Sequence, residues 1–195
     1  MALLKIARMG HPVLRTRARE VEDPTDPSVR ALVRSMIETM YDAPGVGLAA
    51  PQVHVARRVI VFRVPEARQE PGEPEAPDGP LALVNPTFEP LEATLAEGLE
   101  GCLSIPEIRG LVPRYHRIAY YGTTPDGRRI EREATGFHAR VVQHEIDHLD
   151  GVLFLDRMAD FRSLAFESEL HHLTEGGDEG ETASDDDEGR ADERS

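Results

Sequence analysis

Apolar and polar residues near the N-terminus alternate with the period of an amphipathic helix. Within residues 27–42 the apolar positions recur three and four residues apart. They are Val29, Leu32, Val33, Met36, Ile37 and Met40. Asp26 and Pro27 suit an N-cap and a first helical position, and Pro44 and Gly45 end the pattern. The pattern therefore predicts a helix over 27–42.

Other segments have the composition of β-strands. Residues 58–64 (RVIVFRV) are dense in β-branched and apolar side chains, and residues 81–85 form a second short apolar run. The segments 115–122 and 128–133 flank the turn sequence Thr-Pro-Asp-Gly. Two strand-like segments joined by such a short turn predict a β-hairpin.

The C-terminal half adds two helical patterns. Residues 137–149 predict a helix, with Gly151 just beyond its end. Residues 162–173 predict a last helix, although its apolar positions are only loosely periodic. Helix and strand signals are mixed without a regular βαβ alternation, which favours an α+β fold.

Two polar stretches interrupt or follow these elements. Residues 65–80 hold five prolines and two glycines, and we interpret them as a long surface loop between two strands. Residues 174–195 hold ten acidic and two basic residues, and no Ile, Leu, Val, Met or aromatic residue. Such a segment cannot bury apolar surface, so it is predicted to be a disordered acidic tail. One domain is predicted over 1–173.

Composition excludes several classes of protein. The net charge of -14 argues against nonspecific nucleic-acid binding. The single cysteine cannot form an internal disulfide. No apolar run approaches the ~20 residues of a membrane-spanning helix, and the first residues lack the pattern of a signal peptide. We therefore expect a cytoplasmic protein that binds no membrane.

The segment 143–148 (QHEIDH) carries the strongest chemical signal. Residues four apart lie on one face of a helix, so His144 and His148 can share a metal ion. Glu145 lies beside them and can handle a proton of a reacting water. Phe137 and Val141 continue the same face and predict an apolar wall next to the metal. The alternative for two helical histidines is that they serve only as hydrogen-bonding groups.

A catalytic metal site of this kind needs a third protein ligand. The longer motif His-Glu-x-x-His-x-x-Gly-x-x-His fails at its last position, which is Phe154. Glu167, nineteen residues after His148, is one candidate. Cys102 is the other, because its thiolate is a stronger and softer ligand than a carboxylate. Without other information Cys102 can be a small buried residue and Glu167 a solvated one, so the residues alone leave this choice open.

Two further segments are rich in small residues. Residues 45–52 (GVGLAAPQ) allow a ligand to approach the backbone closely, and Gln52 offers an amide donor to a developing oxyanion. Residues 100–104 (EGCLS) surround Cys102, and Gly101 again permits close backbone approach. Each segment is weak evidence alone, and the combination with the histidine motif is far more specific.

Together the three segments resemble the peptide deformylase family. Its signatures are matched at every fixed position by GVGLAAPQ at 45–52, EGCLS at 100–104 and QHEIDHLDG at 143–151. The resemblance covers roughly residues 1–170. It implies an α+β fold, with antiparallel β-sheets packed around a central helix that carries the His-Glu-x-x-His motif. It also implies removal of the formyl group from the N-terminal formyl-methionine of new polypeptides.

The resemblance assigns roles to individual residues. It implies one divalent metal ion, typically Fe²⁺, with Zn²⁺, Ni²⁺ or Co²⁺ also able to occupy the site. The implied metal ligands are Cys102, His144 and His148. Glu145 would be the acid/base catalyst. The Gln52 side chain and the Leu103 N–H would stabilise the oxyanion.

Substrate and partners follow from the same interpretation. Val46, Phe137 and Val141 are candidates for an apolar pocket that takes the methionine side chain. Gly47 and its neighbours would pair with the peptide backbone by strand addition, and Gly101 would allow close approach. The expected partners are formyl-methionyl nascent peptides and, weakly, the ribosome. No direct nucleic-acid binding is expected.

Two alternatives stay open. A metal-dependent endopeptidase would use the two histidines with Glu167 as third ligand, but it gives no reason for the GVGLAAPQ and EGCLS segments. A family relative that binds nascent N-termini without turnover is the other alternative. The intact Glu145 and the complete ligand set argue against it.

Overall fold

The computed structural model describes residues 2–69, 74 and 76–175. Its helices are α1 (Pro27–Asp42), α2 (Gly136–Leu149) and α3 (Leu170–Glu175). Its strands are β1 (Gly47–Ala49), β2 (Val59–Phe62), β3 (Leu81–Pro90), β4 (Leu95–Cys102), β5 (Ile105–Tyr115), β6 (Arg117–Thr123), β7 (Arg129–Thr135) and β8 (Ala165–Phe166). Short 3₁₀ turns connect several of them.

Helix α1 has the predicted bounds and the predicted cap. The Asp26 carboxylate accepts a hydrogen bond of 2.7 Å from the Ser28 N–H, which satisfies one of the free donors at the helix start. The buried face of α1 packs against β1 and β2. Its buried apolar residues are Val29, Val33, Met36 and Met40.

Five antiparallel strands form the larger sheet, in the order β1-β2-β3-β6-β7. The predicted strand over 58–64 is confirmed as β2, and the hairpin around the Thr-Pro-Asp-Gly turn is confirmed as β6 and β7. The short apolar run predicted over 81–85 belongs to a longer strand, β3, which continues past Pro86 to Pro90. The pairing with β6 shifts between Val84 and Thr87, and Asn85 has a φ of 51°. This bulge accommodates a proline, which has no N–H for the ladder.

A second sheet has the order β4-β5-β8. The predicted helix over 162–173 is wrong over most of its length, since only Leu170–Glu175 is α-helical. Ala165 and Phe166 instead extend along β5, opposite Arg109 and Ile108. Pairing with a strand more than fifty residues away determines the conformation of residues 165–166. The weak local periodicity of the segment did not indicate that pairing.

Helix α2 lies between the two sheets and packs against strands of both. It confirms the helix predicted over 137–149, and Gly151 follows it at a φ of 77°. A side chain at Gly151 would also come within 2.8 Å of the Arg15 backbone. The α+β fold with antiparallel sheets around a central helix is confirmed.

The domain and tail predictions concern residues that the structure describes only in part. A single domain over 1–173 stays a prediction. Of the predicted tail, residues 174 and 175 end α3, and residues 176–195 lie outside the described residues. The predicted loop 65–80 does join β2 to β3, although residues 70–73 and 75 are not described. Within the described part of the chain, no helix has the length and apolar character needed to cross a membrane.

Candidate metal centre and active site

Three donor side chains from two elements meet at one point. Cys102 ends β4, and His144 and His148 lie one turn apart on α2. One donor atom from each of the three lies within 4.8 Å of the others. The Cys102 Sγ and the His148 Nε2 are 3.2 Å apart. The helical spacing of the histidines and the end of the strand therefore produce a compact set of one sulfur and two nitrogens.

The other candidate ligand, Glu167, does not belong to this donor set. Glu167 lines the same cavity, but its carboxylate pairs with the Arg109 guanidinium at 3.0 Å. Among the described residues it is not part of the cluster around the two histidines. Phe154 is buried and stacks on the His144 ring, with 6.4 Å between the ring centroids. The structure thus brings Cys102, and not Glu167, to the histidine pair.

The three donors suit a divalent transition metal. The His144 Nδ1 lies 2.9 Å from the Glu100 carboxylate, which leaves its Nε2 as the free nitrogen. A metal-binding histidine commonly donates its other N–H to a carboxylate in this way. One thiolate with two imidazoles is a donor set that Fe²⁺, Zn²⁺, Ni²⁺ and Co²⁺ all accept.

Electrostatics favour the ligand form of the cysteine. Burial by itself would raise the pKa of the Cys102 thiol, but the neighbouring His148 and His144 hold that pKa well below its usual value. The Glu100 carboxyl behaves similarly. Its burial opposes ionisation, and the Arg114 and His144 side chains nevertheless hold its pKa well below the usual range.

A buried ionic network, which was not predicted from the sequence, supports the cluster. The Arg114 guanidinium donates to both Glu100 oxygens, at 2.8 and 3.0 Å, and also to Asp147 on α2. The other carboxylate oxygen of Asp147 accepts a hydrogen bond of 2.8 Å from the Arg157 guanidinium. One signal was available for Glu100. It precedes Cys102 by two residues in a strand and therefore shares its face.

Glu145 occupies a buried position beside the cluster. Its side chain is buried, and its Oε2 has no hydrogen-bond partner among the described residues. Burial raises the pKa of Glu145 to about 7, against the opposing effect of the neighbouring histidines. A Cβ at Gly47 would lie 2.1 Å from the Glu145 Oε1, so the carboxyl group requires a glycine on β1 at this point.

Part of the small-residue segment 45–52 is a strand. Residues Gly47–Ala49 form β1 at the edge of the larger sheet, and a 3₁₀ turn follows over Ala50–Val53. The Gln52 Oε1 accepts the Ala49 N–H at 2.8 Å, which fixes the amide group. Its Nε2 therefore faces the Ser104 Oγ at 3.2 Å and the Cys102 Sγ at 3.4 Å.

These groups surround a cavity of about 600 Å³. Gln52, Leu103 and Glu145 line it next to Cys102 and His144, while His148 is buried behind them. All five residues predicted to bind substrate also line this cavity. They are Val46, Gly47, Gly101, Phe137 and Val141.

The chain is similar to known proteins over most of its length. A family model described as polypeptide deformylase matches residues 3–163. Peptide deformylase 2 of Bordetella bronchiseptica is 48% identical over 161 residues, which cover 83% of this chain and 90% of that protein. The crystal structure of peptide deformylase from Ehrlichia chaffeensis matches with a TM-score of 0.75 at 33% identity, over 89% of this chain and 96% of that chain.

A third match is the Met-Ala-Ser-bound structure of the class I type b peptide deformylase from Acinetobacter baumannii. Its TM-score is 0.71 at 36% identity, and the match covers 80% of this chain and 100% of that chain. The resemblance found in three short motifs thus extends over most of the chain. The chain belongs to the polypeptide deformylase family.

Proposed function

We propose that this chain removes, by hydrolysis, the formyl group from the N-terminal formyl-methionine of newly synthesised polypeptides and releases formate. The observation that carries the proposal is the joint placement of Cys102, His144, Glu145 and Gln52 around one cavity in a chain of this family. The relative from Acinetobacter baumannii binds Met-Ala-Ser, a peptide that begins with methionine. An endopeptidase that uses Glu167 as a ligand is not favoured, because that residue pairs with Arg109 instead.

Cys102, His144 and His148 hold one divalent metal ion in this proposal. Fe²⁺ is the first candidate, and Zn²⁺, Ni²⁺ and Co²⁺ suit the same donors. A metal bound there would supply Lewis acidity, which would polarise the formyl group and make water acidic enough to react at neutral pH. The Glu100 carboxylate fixes the His144 ring by its 2.9 Å contact with Nδ1.

Glu145 is the acid/base catalyst. Its pKa of about 7, raised by burial, suits a group that both accepts and releases a proton near neutral pH. It accepts a proton as water attacks the formyl carbon. It then delivers that proton to the nitrogen of the leaving amine. Its Oε2, which has no partner among the described residues, is available for the water molecule.

Gln52 and Leu103 stabilise the negative charge that develops on the formyl oxygen. The bond from the Ala49 N–H to the Gln52 Oε1 holds the amide with its Nε2 beside the Cys102 Sγ, at the wall of the cavity. Leu103 begins the two-residue turn between β4 and β5 and lines the cavity beside Cys102. Donors fixed before the reaction need no reorganisation as the charge forms.

The peptide lies along β1. This strand is at the edge of its sheet, so one side of its backbone is available for pairing with an added strand. Val46, Phe137 and Val141 supply the apolar surface for the methionine side chain. Contacts to the peptide backbone at Gly47 and Gly101 accept many sequences, as an enzyme that acts on most new proteins requires.

Cytoplasmic location and weak ribosome association complete the proposal, because formyl-methionyl chains emerge at the ribosome. The acidic segment 174–195 would be repelled by ribosomal RNA, and it would meet basic ribosomal proteins instead. Sedimentation with ribosomes, with the full chain and with a chain ending at residue 173, tests this part. Absence of co-sedimentation for both chains contradicts it.

Formate release from formyl-Met-Ala-Ser tests the reaction. The protein is purified without oxygen and loaded in parallel with Fe²⁺, Co²⁺, Ni²⁺ or Zn²⁺. We expect formate from the formyl peptide, no acetate from acetyl-Met-Ala-Ser, and no cleavage of casein. A folded protein that holds one metal ion and releases no formate with any metal overturns the proposed activity. Casein cleavage would favour the endopeptidase.

A further inference from the structure

Arg140 is a buried arginine on α2, one turn before His144. Its side chain crosses from the helix to the β4–β5 hairpin and ends among four oxygen acceptors. Nη2 donates to the Ala96 carbonyl at 2.7 Å. Nη1 donates to the Val112 carbonyl at 2.6 Å, to the Glu100 carboxylate at 2.9 Å and, at the longer distance of 3.3 Å, to the Gly98 carbonyl. One guanidinium therefore joins the helix to both strands of the hairpin.

The hairpin leaves room for this group at Gly98. A Cβ at that position would lie 2.7 Å from the Arg140 Cζ and from its Nη2. The guanidinium cannot move aside without losing hydrogen bonds to buried acceptors, and each lost bond leaves an unpaired group. The Arg140 guanidinium therefore fits against the hairpin only because residue 98 is a glycine.

This contact lies between the elements that carry the proposed metal ligands. Cys102 ends the strand whose carbonyls Arg140 binds, and His144 follows Arg140 on the same helix face. Arg140 and His144 also share Glu100, since the arginine binds its Oε1 and the histidine ring contacts its Oε2. A shift of the hairpin relative to α2 would change the separation of the sulfur and nitrogen donors.

We propose that Arg140 is a positioning residue for the metal centre, holding the Cys102 hairpin and the Glu100 carboxylate at the correct distance from α2. This inference rests on the proposed metal centre. Arg140 touches neither the metal nor the substrate's reacting atoms in this role. Arg140 instead determines how well the three donor atoms fit one ion, and it therefore changes the metal affinity. Loss of a group that orients metal ligands typically weakens binding about 10–100-fold.

Metal affinity measured by chelator competition with Co²⁺ tests the proposal, with the thiolate-to-cobalt absorption band as a second readout. We expect Arg140→Leu to weaken Co²⁺ binding about 10–100-fold and to alter the band. Arg140→Lys should recover part of the affinity, because it restores a cation without the planar fork. The matched control is Arg58→Leu. Arg58 is also buried, and it binds Asp150 at 2.7 Å but no part of the hairpin.

The outcomes separate this role from the metal centre itself. Unchanged Co²⁺ affinity in a folded Arg140→Leu protein, while Cys102→Ala loses the ion, overturns the positioning role alone. Retention of the ion by Cys102→Ala overturns the metal centre and this role with it. Equal losses in Arg140→Leu and Arg58→Leu would assign the effect to general destabilisation and would also overturn the role.

Gly98→Ala provides a second test that keeps Arg140 in place, should Arg140→Leu fail to fold. The added methyl group must displace the guanidinium, so we expect weaker Co²⁺ binding in the wild-type background. The loss of Co²⁺ affinity caused by Gly98→Ala should be smaller in the Arg140→Lys background, because no guanidinium contacts the new Cβ there. Equal penalties in the two backgrounds would show that residues 98 and 140 act independently, and would contradict the proposal.

Discussion

The two sides of the molecule are built from different interactions. Around α1 the buried contacts are largely apolar, with Met36 and Met40 packed in one cluster with Leu48, Val59 and Val61. Between α2 and the β4–β5 hairpin the buried groups are largely charged. They are Glu100, Arg114, Arg140 and Asp147. The first region depends on volume and apolar area, whereas the second depends on which donor meets which acceptor.

Because of this difference, the first region mainly stabilises the fold and the second mainly positions the proposed metal ligands. Apolar contacts are non-directional and tolerate swaps of similar volume. Buried ions add little net stability, because their desolvation offsets their attraction, but removal of one partner is costly and disturbs geometry. Substitutions near α1 should therefore change the free energy of unfolding, and substitutions near the hairpin should change metal affinity and turnover.

The largest effect is expected for Glu145→Ala. Loss of the proposed acid/base should lower kcat about 10²–10⁴-fold, with one equivalent of metal retained, because the three proposed ligands are intact. Steady-state formate release and metal analysis measure both quantities. Glu133→Ala, at an exposed glutamate on β7, is the control and should leave both unchanged. A Glu145→Ala protein that keeps a tenth of normal kcat contradicts the acid/base role.

Cys102→Ala tests the ligand set at the same site. Removal of the only thiolate should weaken metal binding by more than about 100-fold, beyond the loss typical of groups outside the ligand shell. Glu167→Ala should bind metal normally, since that carboxylate pairs with Arg109. Equilibrium dialysis of both variants decides between them. Normal affinity in Cys102→Ala with loss in Glu167→Ala would restore the endopeptidase-like ligand set.

Glu100→Gln should have an intermediate effect. The amide keeps the shape of the side chain, but it removes the charge that Arg114, Arg140 and His144 all approach. We expect metal binding to weaken about 10–100-fold. Glu97→Gln is the control on the same strand, because Glu97 is exposed. If the two variants bind Co²⁺ equally well, the ionic network does not hold the metal site.

The smallest effect on the site is expected from Met36→Ala. This fully buried residue lies in the apolar region, and its truncation should lower the free energy of unfolding by about 2–5 kcal/mol. Metal affinity and kcat at 25 °C should stay within twofold of wild type, about the precision of such comparisons. Urea unfolding measures the first quantity. Leu3→Ala, at an exposed leucine, is the control, and a large loss of metal affinity in Met36→Ala would remove the distinction between the two regions.

The elements that the sequence predicted well are those fixed by local signals. Helices α1 and α2 have strong periodicity and recognisable ends, and the β6–β7 hairpin has its own turn. Strand β4 lacked such a signal, because its glycines and glutamates hide any apolar alternation. Strand β8 has two residues, and it exists only through its pairing with β5.

The site divides in the same way. His144, Glu145 and His148 follow from spacing within one helix. The third donor was open when only the residues were considered, and a contact between distant parts of the chain brings Cys102 to the cluster. No pattern in the sequence indicated that Arg114 and Arg140 are buried beside the site. An arginine is usually exposed, and only a carboxylate supplied by another strand makes its burial possible.

The chain's thiol chemistry is confined to one atom. Cys102 is the only cysteine in 195 residues, and its sulfur belongs to the donor cluster. A thiol-modifying reagent added to the whole protein therefore reports on one position, with no background from other cysteines. In the purified protein, the extent of its reaction measures the fraction of molecules whose sulfur is not bound by metal, before any substrate is added.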